Sequence, residues 1–131
     1  MSFGSILVVE DDAPLREVIC RALRRHGYAV EEAADGIQAL HVLAAEAPDM
    51  VIADILMPNM DGLELVMAIK RTDPKVRILA ISGGTRLAPI DLLTIAEGLG
   101  ADATLAKPFT TEELVARVVA LADHPRRTAA G

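Results

Sequence analysis

The chain has 131 residues, 52% of them hydrophobic and 24% charged; that suits one compact domain burying about two-thirds of the surface its unfolded form exposes, and it excludes extensive disorder. A formal net charge of -6 and only three aromatic residues, Phe3, Tyr28 and Phe109, argue against phosphate-backbone binding and against stacking platforms for single-stranded nucleic acid. No apolar run approaches the roughly 18 residues needed to cross a bilayer, and Met1 to Ser5 lacks the charged-then-apolar order of a secretory leader, so a cytoplasmic protein without membrane attachment is expected.

Strand-like and helix-like segments alternate along the whole chain, a pattern that predicts βαβ units around a parallel sheet. The first strand runs from Ile6 to Val9. A helix from Ala13 to about His26 follows, with Leu15, Val18, Ile19, Ala22 and Leu23 as its inner stripe, and Gly27 stops it. Cys20 sits among these apolar residues, cannot form an intramolecular disulfide, and reads as core. Ala29 to Glu32 forms a short second strand, and Asp35 with Gln38 makes a capping-box-like start to the second helix, which ends before Pro48.

Met50 to Ala53 is a continuous apolar run, as expected of a central strand covered on both faces, and Asp54 ends it. Asp61 and Glu64 open a third helix with Leu63, Val66 and Met67 on one side and Leu65 and Ile69 as a second row. Val76 to Ile81 is the fourth strand, Ser82-Gly83-Gly84 a turn, and Pro89 to about Glu97 the fourth helix, terminated by Gly98 and Gly100. Thr104 to Ala106 is the fifth strand. Lys107-Pro108-Phe109 then leads to a helix opened by the capping box Thr110 to Glu113 and lined by Leu114, Val118 and Leu121. Residues 1–122 are expected to form the domain. Residues 123–131 have no apolar period, predict a frayed tail, and include Arg126-Arg127 as exposed charge.

Four of the strands end in groups that phosphoryl chemistry can use: Glu10-Asp11-Asp12, Asp54, Ser82 and Lys107. An open parallel sheet binds ligands outside the carboxyl ends of its strands, so these groups share one edge. Clustered carboxylates repel, and a hard divalent cation, Mg²⁺ above all, relieves that repulsion. A carboxylate beside such an ion can attack phosphorus, while Lys107 neutralises phosphate and Ser82 donates a hydrogen bond. His26, His41 and His124 show no metal-ligand spacing and read as surface residues, and neither a P-loop nor a full Gly-x-Gly-x-x-Gly pattern is present.

The motifs ILVVEDD at 6–12, DILMPNMDG at 54–62, AISGG at 80–84 and GADATLAKPF at 100–109 give the chain, over roughly residues 5 to 122, a resemblance to the receiver domains of two-component response regulators, of the single-domain chemotaxis-regulator type. The resemblance implies an α/β, doubly wound, flavodoxin-like (βα)5 sandwich with strand order 2-1-3-4-5. It implies that Asp54 is the phosphoacceptor, that Asp11 ligates Mg²⁺ directly, that Glu10 does so through water, and that the carbonyl of Leu56 is a further ligand. Asp12 reads as a helix cap. Ser82 resembles the hydroxyl that moves toward the phosphate, and Lys107 the phosphate-binding lysine, joined to Pro108 by a cis peptide. Phosphate then comes from a histidine kinase or histidine phosphotransfer protein, and the signal passes to a downstream target protein. A monomer or weak dimer is expected.

Two departures bear on readout. Thr104 stands where the family usually has Tyr or Phe, which removes a ring-flip signal, and the segment between Ser82 and Lys107 is longer than usual. Signalling is therefore expected through the loop Gly83 to Ala88 and the fourth helix, whose Ile90, Leu92, Leu93, Ile95, Ala96 and Leu99 exceed one buried stripe. No output domain follows the fifth helix in this sequence, so output is expected in another protein. Two rivals are a phosphorylation-independent receiver-like interaction module, which the intact acidic pair, Asp54 and Lys107 oppose and Thr104 leaves open, and a Mg²⁺-dependent aspartyl-phosphate phosphohydrolase. The second usually places its nucleophile in the first strand's acidic motif and adds a cap domain, for which this chain has no insertion.

Overall fold

The computed structural model of the protein describes residues 4–55, 62–82 and 92–123. Five strands, β1 (Ser5–Val9), β2 (Ala29–Ala33), β3 (Met50–Asp54), β4 (Arg77–Ser82) and β5 (Ala103–Ala106), form one parallel sheet in the order β2-β1-β3-β4-β5. Five helices among the described residues alternate with them: α1 (Ala13–Arg25), α2 (Gly36–Ala45), α3 (Gly62–Thr72), α4 (Leu92–Leu99) and α5 (Thr111–Asp123). The doubly wound (βα)5 sandwich implied by the sequence is the fold observed.

Strand alternation divides the core into two layers. Ile6 and Val8 of β1, Ile52 of β3, Leu79 and Ile81 of β4 and Leu105 of β5 pack with Ile19, Cys20 and Leu23 of α1 and Leu114, Val118 and Leu121 of α5. Their neighbours Leu7, Val9, Val51, Ala53 and Ile78 face the other way, onto Ala39 of α2 and Leu65, Val66 and Ile69 of α3. Every residue of β3 is buried, as a central strand covered on both faces requires.

Local signals set most boundaries. Asp12 caps α1, its Oδ1 accepting the Leu15 N–H at 3.2 Å, and Asp35 caps α2 by accepting the Gln38 N–H at 2.9 Å. Thr110 and Glu113 form the reciprocal capping box of α5, at 3.0 and 3.1 Å. Gly27, at φ 91°, takes the left-handed conformation that ends α1.

The structure also corrects the pattern reading. Val18 and Met67 are exposed rather than in the inner stripes, because Ile19, Cys20 and Leu23 on α1 and Leu65, Val66 and Ile69 on α3 already fill the space against the sheet. Gly98 lies within α4, and only Gly100, at φ 123°, follows its end. Cys20 is buried, and His26 and His41 are exposed, as read. The Gly83 to Ala88 loop, the start assigned to the fourth helix at Pro89, His124 and the tail beyond Asp123 lie outside the described residues. No helix among the described residues is long and apolar enough to cross a membrane.

Candidate functional site

The parallel register brings the strand ends to one edge. Val9 pairs with Ala53, Asp54 with Ile81, and Ser82 with Ala106. Glu10, Asp54, Ser82 and Lys107 therefore follow or end neighbouring strands at the same level. Lys107 N–H donates to the Ser82 carbonyl at 2.8 Å, carrying the β4–β5 pairing one step further, and the Lys107–Pro108 peptide is cis.

Three polar residues among those described are buried at this edge: Glu10 is 1% exposed, Asp54 4% and Ser82 2%. Buried charges need partners. The Lys107 ammonium supplies one, 2.7 Å from Asp54 Oδ2 and 3.1 Å from Glu10 Oε1. Glu10 Oε2 accepts the Asp12 N–H at 3.2 Å. Glu10 Oε1, although within ion-pair distance of Lys107, has no aligned hydrogen-bond donor among the described residues.

One ammonium does not balance the charge. Carboxylate oxygens of Glu10, Asp11 and Asp54 all lie within 4.8 Å of one another, with Asp11 exposed at the mouth. The Glu10 carboxyl is pushed up from 4.5 to about 7, first by burial and then by the Asp54 charge, while the Asp12 N–H and Lys107 pull it down. Burial works to lower the Lys107 pKa, but the hydrogen bond to Asp54 and the negative charge of Asp54, and next the nearby Glu10 carboxylate, outweigh it and leave it above its ordinary value. An oxygen-only set with surplus negative charge and an under-satisfied buried oxygen fits a hard divalent cation.

The structure thus gathers Glu10, Asp11, Asp54 and Lys107, and puts Ser82 at the end of the strand beside Asp54. Leu56 lies outside the described residues. Asp12 stands apart as the α1 cap.

Gly62 carries a role that the motif reading passed over. Its N–H donates to the Ile55 carbonyl at 2.8 Å, and a Cβ there would lie 2.4 Å from the Asp54 carbonyl oxygen and 2.5 Å from Ile55 Cα. The first residue of α3 therefore rests directly on the backbone that carries Asp54. The signal was present as the glycine closing the 54–62 motif at a helix start, but only the contact shows what it touches.

The chain is similar in sequence and fold to known proteins. The family described as response regulator receiver domain matches residues 6–119. The response regulator MprA of Mycobacterium avium is 41% identical over 120 residues, 88% of this chain and 50% of that protein. The chain thus spans about half the length of the curated relatives it matches. Among solved structures, the receiver domain of NtrX from Brucella abortus superposes with a TM-score of 0.84 at 28% identity, covering 92% of this chain and 99% of that one. The chemotaxis response regulator CheY4 of Vibrio cholerae does so with a TM-score of 0.82 at 30% identity, again covering 92% and 99%. With its sheet order, its acidic edge and a family match over most of its length, the chain belongs to the response regulator receiver domains, the signalling modules of two-component systems.

Proposed function

We propose that this receiver is phosphorylated on Asp54. A carboxylate oxygen of Asp54 attacks the phosphorus of a phosphohistidine on a histidine kinase or histidine phosphotransfer protein. The P–N bond breaks, the imidazole leaves with its electron pair and takes up a proton, and Asp54 carries an acyl phosphate. The observation that carries this reading is the Lys107 ammonium 2.7 Å from Asp54 within a cluster of three carboxylates.

Asp11 and Asp54, with Glu10 through water and the Leu56 carbonyl, are the groups that would hold Mg²⁺, and the ion when bound supplies neutralisation of phosphoryl charge. Lys107 exchanges its contact with Asp54 for one with a phosphoryl oxygen, as a point charge on a flexible stem can. The Ser82 hydroxyl donates a hydrogen bond to another oxygen, and its movement pulls on the segment that leads into α4 (Leu92–Leu99). Thr104 on β5 (Ala103–Ala106) offers no aromatic ring to rotate, and its carbonyl accepts a hydrogen bond from Arg117 of α5. That leaves the β4–α4 side for the signal to a partner protein. The acyl phosphate is a signal, ended by hydrolysis, and not the product of catalysis on a free substrate. A monomer or weak dimer working in the cytoplasm completes the reading, with the receiver domain extended by one residue, because Asp123 belongs to α5 and not to a tail.

Incubation with Mg²⁺ and acetyl phosphate, followed by intact mass, tests it. Wild type should gain one phosphoryl group and Asp54→Ala none. A gain of equal size in Asp54→Ala would refute the assignment.

A further inference from the structure

Glu10 is held from three directions. Its N–H donates to the Ala33 carbonyl of β2 at 3.1 Å, its carboxylate accepts from the Asp12 N–H, and its carbonyl oxygen accepts from Arg16 Nη1 at 2.7 Å. Arg16 lies near the start of α1, with its side chain only 20% exposed. Through Nε the same guanidinium bonds Glu32 Oε1 on β2 at 3.1 Å, and the other Glu32 oxygen lies 3.5 Å from Arg24.

A guanidinium presents its donors in one rigid plane, so two simultaneous bonds fix where that plane sits. The carbonyl it grips belongs to the peptide unit joining Glu10 to Asp11. Both carboxylates project from the two ends of that unit. Convergence of preplaced ligands is what raises affinity at such a site.

We propose that Arg16 is a positioning residue: it ties the Glu10–Asp11 peptide to Glu32 of β2 so that both carboxylates converge with Asp54 on a divalent cation. The inference rests on the phosphoreceiver reading and deepens it. The positive charge of Arg16 by itself opposes a cation, so its contribution is geometric, and the substitutions that isolate it conserve charge. Arg16→Lys keeps charge and helix propensity but cannot bridge two acceptors in one plane. Glu32→Asp keeps charge and withdraws the anchor.

The experiment titrates Mg²⁺ alone into the isotope-labelled full chain, following the Asp11 and Asp12 amides and the Glu10 carbonyl carbon by NMR. Arg16→Lys should weaken Mg²⁺ binding about tenfold and move the metal-free Glu10 carbonyl resonance. Glu32→Asp should do both to a smaller degree, and it carries the test if Arg16→Lys does not fold. A role confined to packing would lower the unfolding midpoint while leaving Mg²⁺ affinity in the folded molecules unchanged. Unchanged affinity in folded variants, with wild type binding Mg²⁺, overturns the inference and leaves the Asp54 reading standing. A wild-type protein that does not respond to Mg²⁺ overturns both.

Discussion

Glu10 shows what a single buried carboxyl does to the molecule. Its folded-state pKa is raised to about 7, chiefly by burial, so the folded protein holds this proton more tightly than the unfolded chain does. Stability from that group is complete below the unfolded value near 4.5 and is lost as pH climbs through about 7. Without Mg²⁺, the difference in unfolding free energy between wild type and Glu10→Gln should therefore change by up to about 3 kcal/mol between pH 4.5 and 8, in the direction that favours the variant at high pH. Urea denaturation in the presence of a chelator, at both pH values, measures it. A pH-independent difference would contradict the burial argument. The sequence marked Glu10 as a site residue through its position after an apolar run. That it is almost fully buried and shares Lys107 with Asp54 depends on three strands meeting, which no local pattern reports.

At the scale of elements, α3 and its glycine make the sharpest case. Helix propensity alone ranks Ala above Gly by about 1 kcal/mol, so Gly62→Ala on that ground would stabilise α3. The backbone of Asp54 and Ile55 stands within 2.5 Å of the new Cβ, and backbone atoms cannot rotate away. Crowding wins, and the expected result is a loss of about 1–3 kcal/mol together with slower phosphorylation, read by thermal unfolding and by mass after acetyl phosphate treatment. A variant more stable than wild type would show that α3 can retreat freely. Caps and stops were legible for a physical reason: Asp12, Asp35 and Thr110 satisfy backbone groups within three residues of themselves. The inner faces were less so. Val18 and Met67 share helical spacing with true core residues, and only the geometry of the sheet beneath leaves them exposed.

For the whole molecule, an excess of acidic residues, 19 against 13 basic, converges in part on one edge, so a divalent cation bound only by the folded form should stabilise it. At a concentration one hundred times its Kd the gain is about 2.7 kcal/mol, seen as a rise of several degrees in the unfolding midpoint. Asp11→Asn should remove most of that rise, and NaCl of equal ionic strength should not reproduce it; a matching effect of NaCl would mean simple screening. Alternating apolar runs and helical stripes were enough to determine five βα units in a parallel sheet, because right-handed crossovers and burial on both faces leave few other arrangements. The residue types at the strand ends are what suggested the phosphoryl chemistry proposed above. Only the tertiary structure decided which carboxylates share one ammonium, that Gly62 supports the Asp54 backbone, and that Arg16 reaches from α1 to Glu10 and Glu32. Those contacts join residues far apart in the chain, and their distances follow from sheet register and helix packing together.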